Sequence, residues 1–236
     1  MRIKQALWHS YQIPRSRSMR VPIVLFGCGS RMIVDVEESC ARLGLDVAAI
    51  VKNVDGPDYA LARERLIKVD EIGPALLACQ YTVPFFKPGN RLAAHQHASA
   101  RGFTDAATVV DPTAVVAGSA TIGPGTYVNS AAVIGGAARI GKFAFINRSA
   151  SIGHHAEVGD FASVGPGAIL CGSVRLARGA VAAAGAIILE NLQIGRNSVV
   201  AAGAVVRESV ADRCLVAGNP ARVIESNYTG FGGVLV

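Results

Sequence analysis

The chain has 236 residues, of which 51% are hydrophobic and 6% aromatic, with a formal charge of +6 and a mean hydropathy of +0.37. No apolar run approaches the ~18 residues of a membrane-spanning helix, and the scarcity of aromatics, with no nucleic-acid motif, argues against a nucleic-acid partner. The positive charge fits either a solvated surface or attraction for a small polyanion.

Residues 1–20 carry Arg2, Lys4, Arg15, Arg17 and Arg20 but no apolar core of signal-peptide length. They read as an N-terminal extension, a mobile arm or a segment whose Trp8 packs on a neighbouring subunit. The apolar run Val21–Phe26 is followed at once by Gly27-Cys28-Gly29-Ser30. Ile33–Leu43 then shows helical spacing and ends at Gly44, a good residue to close a helix. A second apolar run covers Leu45–Val51. Strand, glycine turn, helix and strand predict a small Rossmann-like unit, with backbone N–H groups of the turn near a helix N-terminus, where a phosphate can sit. Asp55–Pro74 reads as loop and short helix, Tyr81–Phe86 as a third strand, and Gly89–Gly102 as a helix. His95 and His97, two apart on that helix, point in different directions and read as surface residues. This α/β N-terminal domain is expected to span residues 21–105.

From Val110 to Val206 an aliphatic residue recurs at every sixth position, as in Val128, Ile134, Ile140, Ile146, Ile152 and Val158, with Ala182 the one short member. Four residues after each aliphatic comes a small one in most repeats, such as Ala132, Ala138, Ala144 and Ala150. The next residue after the aliphatic is often Gly or Asn, as at Gly135, Gly141, Asn147 and Gly153. A strand alternates by two and a helix by 3.6; a fixed period of six over about a hundred residues is a repeat architecture. The reading is an all-β coil with three flat faces, each face turning one large aliphatic inward. The glycines and asparagines at the corners tolerate crowding or positive φ. Coils stacked at strand spacing give roughly 27 Å of prism. The coil domain is assigned to residues 106–224, and residues 225–236 to a C-terminal tail whose apolar end must be covered or mobile.

Five scattered cysteines, Cys28, Cys40, Cys79, Cys171 and Cys214, with no C-x-x-C pair, read as reduced thiols in a cytoplasmic protein. His154 and His155 are the only histidines of the coil. Imidazole titrates near neutral pH without tuning, which suits a general base. One coil further on, His154 is followed by Gly172, whose N–H would lie roughly 4.8 Å away, placed to serve a developing oxyanion. Ala184 and Ala202 stand in a second ladder of small residues, wide enough for a slender thioester arm. Cys171, beside the glycine, reads as packing rather than as a nucleophile.

The hexads, the stretch Asn147 … His154 … Val158-Gly159-Asp160-Phe161 and the closing Gly218-Asn219-Pro220-Ala221 resemble the hexapeptide-repeat sugar acetyltransferases, in particular the nucleotide-linked amino-sugar N-acetyltransferases and their sialic acid O-acetyltransferase relatives. That resemblance covers residues 21–224. It implies a left-handed parallel β-helix behind a Rossmann-like domain, acetyl-CoA as co-substrate with no metal, and a nucleotide-sugar acceptor. It also implies a homotrimer with sites between subunits, His154 as base and Gly172 as oxyanion donor. Ala184, Gly185, Ala202 and Gly203 would then touch CoA, and Gly29, Ser30, Arg31, Lys52, Asn53 and Asn147 would meet the acceptor.

The chain departs from the family pattern in several places. An acid normally follows the base; here it is His155, and two adjacent cations repel. Glu157, Asp160 or a neighbour's carboxylate would have to substitute. A second histidine of some relatives is Ser163. The glycine turn reads Gly27-Cys28-Gly29-Ser30-Arg31-Met32, the acidic pair after the second strand is Lys52-Asn53, and a Gly-Asn-Arg segment at Gly89-Asn90-Arg91 is shortened. The coil features are kept better than the sugar-nucleotide features. N-acetylation of a nucleotide-linked amino sugar is the expected reaction. O-acetylation of a sugar hydroxyl and a non-catalytic nucleotide-binding or assembly role are the alternatives. A γ-class carbonic anhydrase would need three histidines on a metal, a poor match to one adjacent pair.

Overall fold

The computed structural model describes residues 21–236; the expectations for the first twenty residues, Trp8 included, lie outside the described residues. The chain opens with β1 (Ile23–Phe26), α1 (Ile33–Leu43) and β2 (Val47–Lys52). It continues with β3 (Leu66–Lys68), α2 (Pro74–Leu77), β4 (Gln80–Thr82) and α3 (Pro88–Ala100). The four strands form one parallel sheet in the order β3-β2-β1-β4. α1 ends where the sequence places its end, because Gly44 takes φ 63° and its N–H closes on the last turn.

Three expectations need correction. The stretch after Asp55 contains β3, an edge strand of three residues that pairs with β2 and is too short to show a period. The third expected strand is shorter than read: β4 stops at Thr82, and Pro84 with Pro88 leads the chain into α3. His95 and His97 are not free surface side chains. His95 hydrogen-bonds Tyr81 Oη at 2.8 Å through Nδ1 and packs at 4.1 Å from the ring of Phe143. His97 meets Phe26 edge-on.

The remainder is a parallel coil. Each two-residue strand pairs in register with the one a full turn later, Phe145 with Ser163 and Ile152 with Leu170 for example. Three sheets result. The hexad aliphatics point inward and are buried throughout, from Val128 to Val206, with the Ala132-to-Ala204 ladder filling the gaps between them. Each such aliphatic contributes about 1.5–3 kcal/mol, so this interior is the main source of cohesion.

The corners show two separate uses of small residues. The glycine directly after an aliphatic is there for space: a Cβ at Gly153 would stand 2.6 Å from the carbonyl carbon of Cys171, and one at Gly135 2.8 Å from His154 N. The left-handed φ falls two residues later, at Ala131, Ala137, Phe143, Ser149, His155 and Phe161 among others. The sequence reading merged these two positions.

What distinguishes the three faces is the residue just before each inward aliphatic. On the first face, Tyr127, Phe145, Ser163, Val181 and Val199 are buried, and α3 and its neighbours lie over part of it. The second face presents Val115, Val133 and Ile169, which are 62%, 43% and 39% exposed, with Ser151, Ile187 and Val205. The third carries a charge ladder, in which Glu157 lies 2.8 Å from Arg139 and 3.5 Å from Arg175.

Arg91, only 1% exposed, joins α3 to the coil. Its guanidinium donates to the carbonyls of Phe85, Phe86, Phe143, Phe161 and Ala162 and to Ser163 Oγ. Burial without a carboxylate lowers its pKa to about 9. On the other flank, Asp111 takes hydrogen bonds from Ser39, Thr113 and Arg42. After the coil, Cys214–Gly218 and Ala221–Ser226 form an antiparallel hairpin turned at Gly218-Asn219-Pro220. The tail is tied to the body at several points, although Val234 and Leu235 remain 46% exposed. Val236 N–H donates to Asn197 Oδ1 at 2.8 Å, Phe231 meets Phe86 edge-on, and Val234 leaves no room for a Cβ at Gly89.

Candidate functional site

The corner that follows the apolar second face carries Gly136, His154 and Gly172 in successive coils. His154 is exposed. Its ring lies over Gly172: a Cβ there would stand 2.6 Å from Cε1 and 2.8 Å from Nε2. The glycine is thus the only residue that lets the imidazole take this position. Among the described residues the Gly172 N–H has no acceptor, while its carbonyl accepts from Asn191 N. An imidazole and an uncommitted N–H stand side by side on a rigid edge, the pairing the sequence predicts.

The side chains offered in place of the missing acid are committed elsewhere. Glu157 is held by Arg139 and Arg175, and the Arg139 hydrogen bond, helped by the charge of both arginines, lowers its pKa against the effect of partial burial. Asp160 accepts from Lys142 N and faces Arg178. What His154 does touch is His155, Nδ1 to Nδ1, at 3.1 Å. Ser163, in the place of the second histidine of some relatives, is buried between Arg91 and the Phe86 carbonyl. Burial and Glu190 raise the pKa of Cys171, which does not favour a nucleophilic thiolate.

Ala184, Gly185, Ala202 and Gly203 are exposed and form the expected ladder, Gly203 N donating to Ala184 O at 2.9 Å. They stand on another edge, between the first and second faces, whereas His154 stands between the second and third. One chain therefore does not bring the two groups together.

The Ala184–Ala202 edge opens instead on a cleft of about 520 Å³ lined also by Met32, Phe86, Asn147, Tyr228 and Phe231. Met32 ends the glycine turn, so the structure joins part of the expected acceptor region to the expected CoA edge. Asn147 is 4% exposed. Its Oδ1 accepts from Asn129 Nδ2 and Arg148 N, which leaves Nδ2 for the cleft. Gly29 and Arg31 are exposed at the turn, and Arg31 lies 5.3 Å from the Tyr59 ring. Ser30 Oγ accepts from Met32 N. Lys52 ends β2, and the buried Asn53 Oδ1 has no hydrogen-bond partner. Gly27 has φ 112° and Phe85 fills the space where a Cβ would stand, so packing alone requires that glycine.

A larger hollow, about 690 Å³, runs along the charged face; there Glu157 is paired with Arg139 and Arg175, and Asp212 accepts from the backbone N–H of Arg196. Among the described residues, no three His, Cys, Asp or Glu side chains gather as a metal would need, no helix is long and apolar enough to cross a membrane, and all five cysteines are free. The sequence reading missed Arg91 as the clamp between α3 and the coil, and the contact between the two histidines. The second was accessible: the left-handed corner position recurs every six residues, and His155 falls on it.

No protein-family description and no curated protein matches the sequence. The solved structures that the chain resembles are hexapeptide-repeat sugar N-acetyltransferases, as the hexads imply. PerB from Caulobacter crescentus, solved in complex with CoA and GDP-perosamine, is 27% identical with TM-score 0.72 over 86% of this chain and 97% of its own. The acetyltransferase domain of PglB from Neisseria gonorrhoeae, in complex with acetyl coenzyme A, is 26% identical with TM-score 0.76 over 87% of this chain and 100% of its own. WeeI from Acinetobacter baumannii, at 22% identity and TM-score 0.74 over 86% and 99%, has the same fold.

Proposed function

We propose that the protein is an acetyl-CoA-dependent acyltransferase that acetylates the amine of a nucleotide-linked amino sugar by direct transfer. The observation that carries this reading is His154 lying over Gly172 beside an unpaired N–H. The amine nitrogen attacks the thioester carbonyl carbon, and its proton passes to His154 Nε2. The carbonyl oxygen becomes an oxyanion facing the Gly172 N–H. Collapse breaks the carbon–sulfur bond, and the proton returns from His154 to the sulfur of CoA. PerB, bound to CoA and GDP-perosamine, supports the pairing of co-substrate and acceptor. Two further Caulobacter structures, in complex with CoA and GDP-perosamine, carry one histidine replaced by asparagine or by alanine, which agrees with a histidine that matters to such an enzyme.

The reading includes a left-handed coil over residues 106–224 and a Rossmann-like acceptor domain over 21–105, whose sheet order 3-2-1-4 fits one mononucleotide-binding half. It also includes a cytoplasmic homotrimer. The separation of His154 from the Ala184–Ala202 edge supports the trimer: each edge flanks the exposed apolar face. Turning that face toward the threefold axis sets His154 of one subunit against the CoA edge of the next. A closed ring is the usual way to bury a repeated face. Transfer to a sugar hydroxyl is the second reading, favoured by Lys52-Asn53 where relatives carry acids.

The test is release of CoA thiol from acetyl-CoA with UDP-, GDP- and dTDP-linked amino sugars and with free sialic acid. Release with one amino sugar, reduced ~100-fold or more in His154→Ala, is the expected result. Near-normal rates in that variant sink the assignment of the base, and absence of CoA binding sinks the enzymatic reading.

A further inference from the structure

We propose that His155 is a positioning residue for His154, its Nδ1 accepting the proton on His154 Nδ1 so that Nε2 stays bare. The inference rests on the acyl-transfer reading of the same corner. Two neutral or singly charged imidazoles can share a hydrogen bond at 3.1 Å only if one Nδ1 carries hydrogen and the other does not. The two directions are not equivalent. With His155 as donor, His154 has its hydrogen on Nε2 and cannot take another proton there. With His155 as acceptor, His154 Nε2 is a lone pair before transfer and an N–H after it, and the Nδ1 hydrogen bond persists through both states. A single hydrogen bond on one ring nitrogen is what sets the chemistry of the other.

The backbone holds the pair in place. His155 sits at the left-handed corner with φ 57°, and its N–H is fixed to Gly136 O at 2.9 Å. His154 Nδ1 is the ring nitrogen farther from Gly172, 3.3 Å from the position of an added Cβ against 2.8 Å for Nε2. The nitrogen left toward the glycine is the one whose protonation state matters. A neutral acceptor here does the directional work of a carboxylate without its charge.

The test is the tautomer of His154, read from two-bond nitrogen–proton correlations in 15N-histidine-labelled protein without acetyl-CoA or acceptor. Wild type is compared with His155→Phe and His155→Glu. Phenylalanine already takes the same left-handed place in the hexad on another edge, at Phe143 and Phe161 with φ 50° and 54°, so the first variant asks for no new backbone conformation. Hydrogen on Nδ1 in wild type, moved to Nε2 in His155→Phe and kept on Nδ1 in His155→Glu, is the expected pattern. With it comes a loss of about 10- to 100-fold in kcat for His155→Phe at unchanged KM for acetyl-CoA, restored in His155→Glu. Hydrogen on Nε2 in wild type, or a tautomer indifferent to His155→Phe, overturns the proposal. The spectrum reports this whether or not the thiol-release panel contains the acceptor, so the two readings fail separately.

Discussion

The imidazole of His154 occupies the space where a side chain on Gly172 would begin, 2.6 Å from Cε1 to the missing Cβ. Gly172→Ala keeps an allowed backbone, since no left-handed φ is required there, but it pushes the ring from its place. The expected result is a fall in thiol-release rate of ~10-fold or more, because misplacement of a catalytic group by about 1 Å is costly, with little change in melting temperature. Gly153→Ala is the contrast: its Cβ meets backbone of the next coil, so stability falls first. A fully active Gly172→Ala enzyme would refute the placement of His154.

The coil is legible from the hexads because its inward residues answer to one demand, burial. The outward residues answer to a different neighbour on each face and repeat once per coil, as Arg139, Glu157 and Arg175 do. A reading by sixes averages over them. The hexad alone does not say which edges His154 and Ala184 occupy: both are corner positions in it, and only the position within the full turn separates their edges. β3 left no trace because three residues on a sheet edge show no period. Arg91 stood out only as part of Gly89-Asn90-Arg91, and its role as a clamp left no trace because nothing local says that an arginine will be buried among carbonyls 52 and 70 residues away.

The apolar face yields a prediction about assembly. Ile169, 39% exposed, stands in register between Ser151 and Ile187. Ile169→Asp places a charge where the reading sets another subunit, and burying an unpaired carboxylate is strongly unfavourable. Sedimentation is expected to show loss of the trimer and the thiol assay loss of activity, although His154 and Gly172 are intact in every chain. An active monomer would contradict a site completed by a second copy.

Arg91 serves six acceptors with one side chain. Arg91→Met keeps most of the volume and removes every donor, leaving buried carbonyls unpaired. The loss is expected to be about 3 kcal/mol, read as a lower urea midpoint. An unchanged midpoint would mean that the carbonyls find other donors, and that Arg91 is not what holds α3 to the coil.

His95 makes stability depend on pH in a defined window. Burial, with a smaller contribution from Lys142, lowers its pKa below the ordinary 6.5. The unfolded chain then takes up a proton at 6.5 while the folded one resists, so the contribution of His95 is fully present above 6.5 and is lost as pH falls from there through the folded value. Asp111 acts in a separate, more acidic window. Burial alone would raise its carboxyl, but hydrogen bonds from Ser39, Thr113 and Arg42 hold it at about 2 against an ordinary 3.8, so its contribution is lost only below 3.8. Urea unfolding followed from about pH 7.5 to about pH 5 crosses 6.5, where the first window opens, and stays clear of the second. Wild type is expected to lose stability across that range, and His95→Phe, which keeps the aromatic packing on Phe143 without the proton, to lose less. Equal slopes in the two proteins would show that some other group governs the decline.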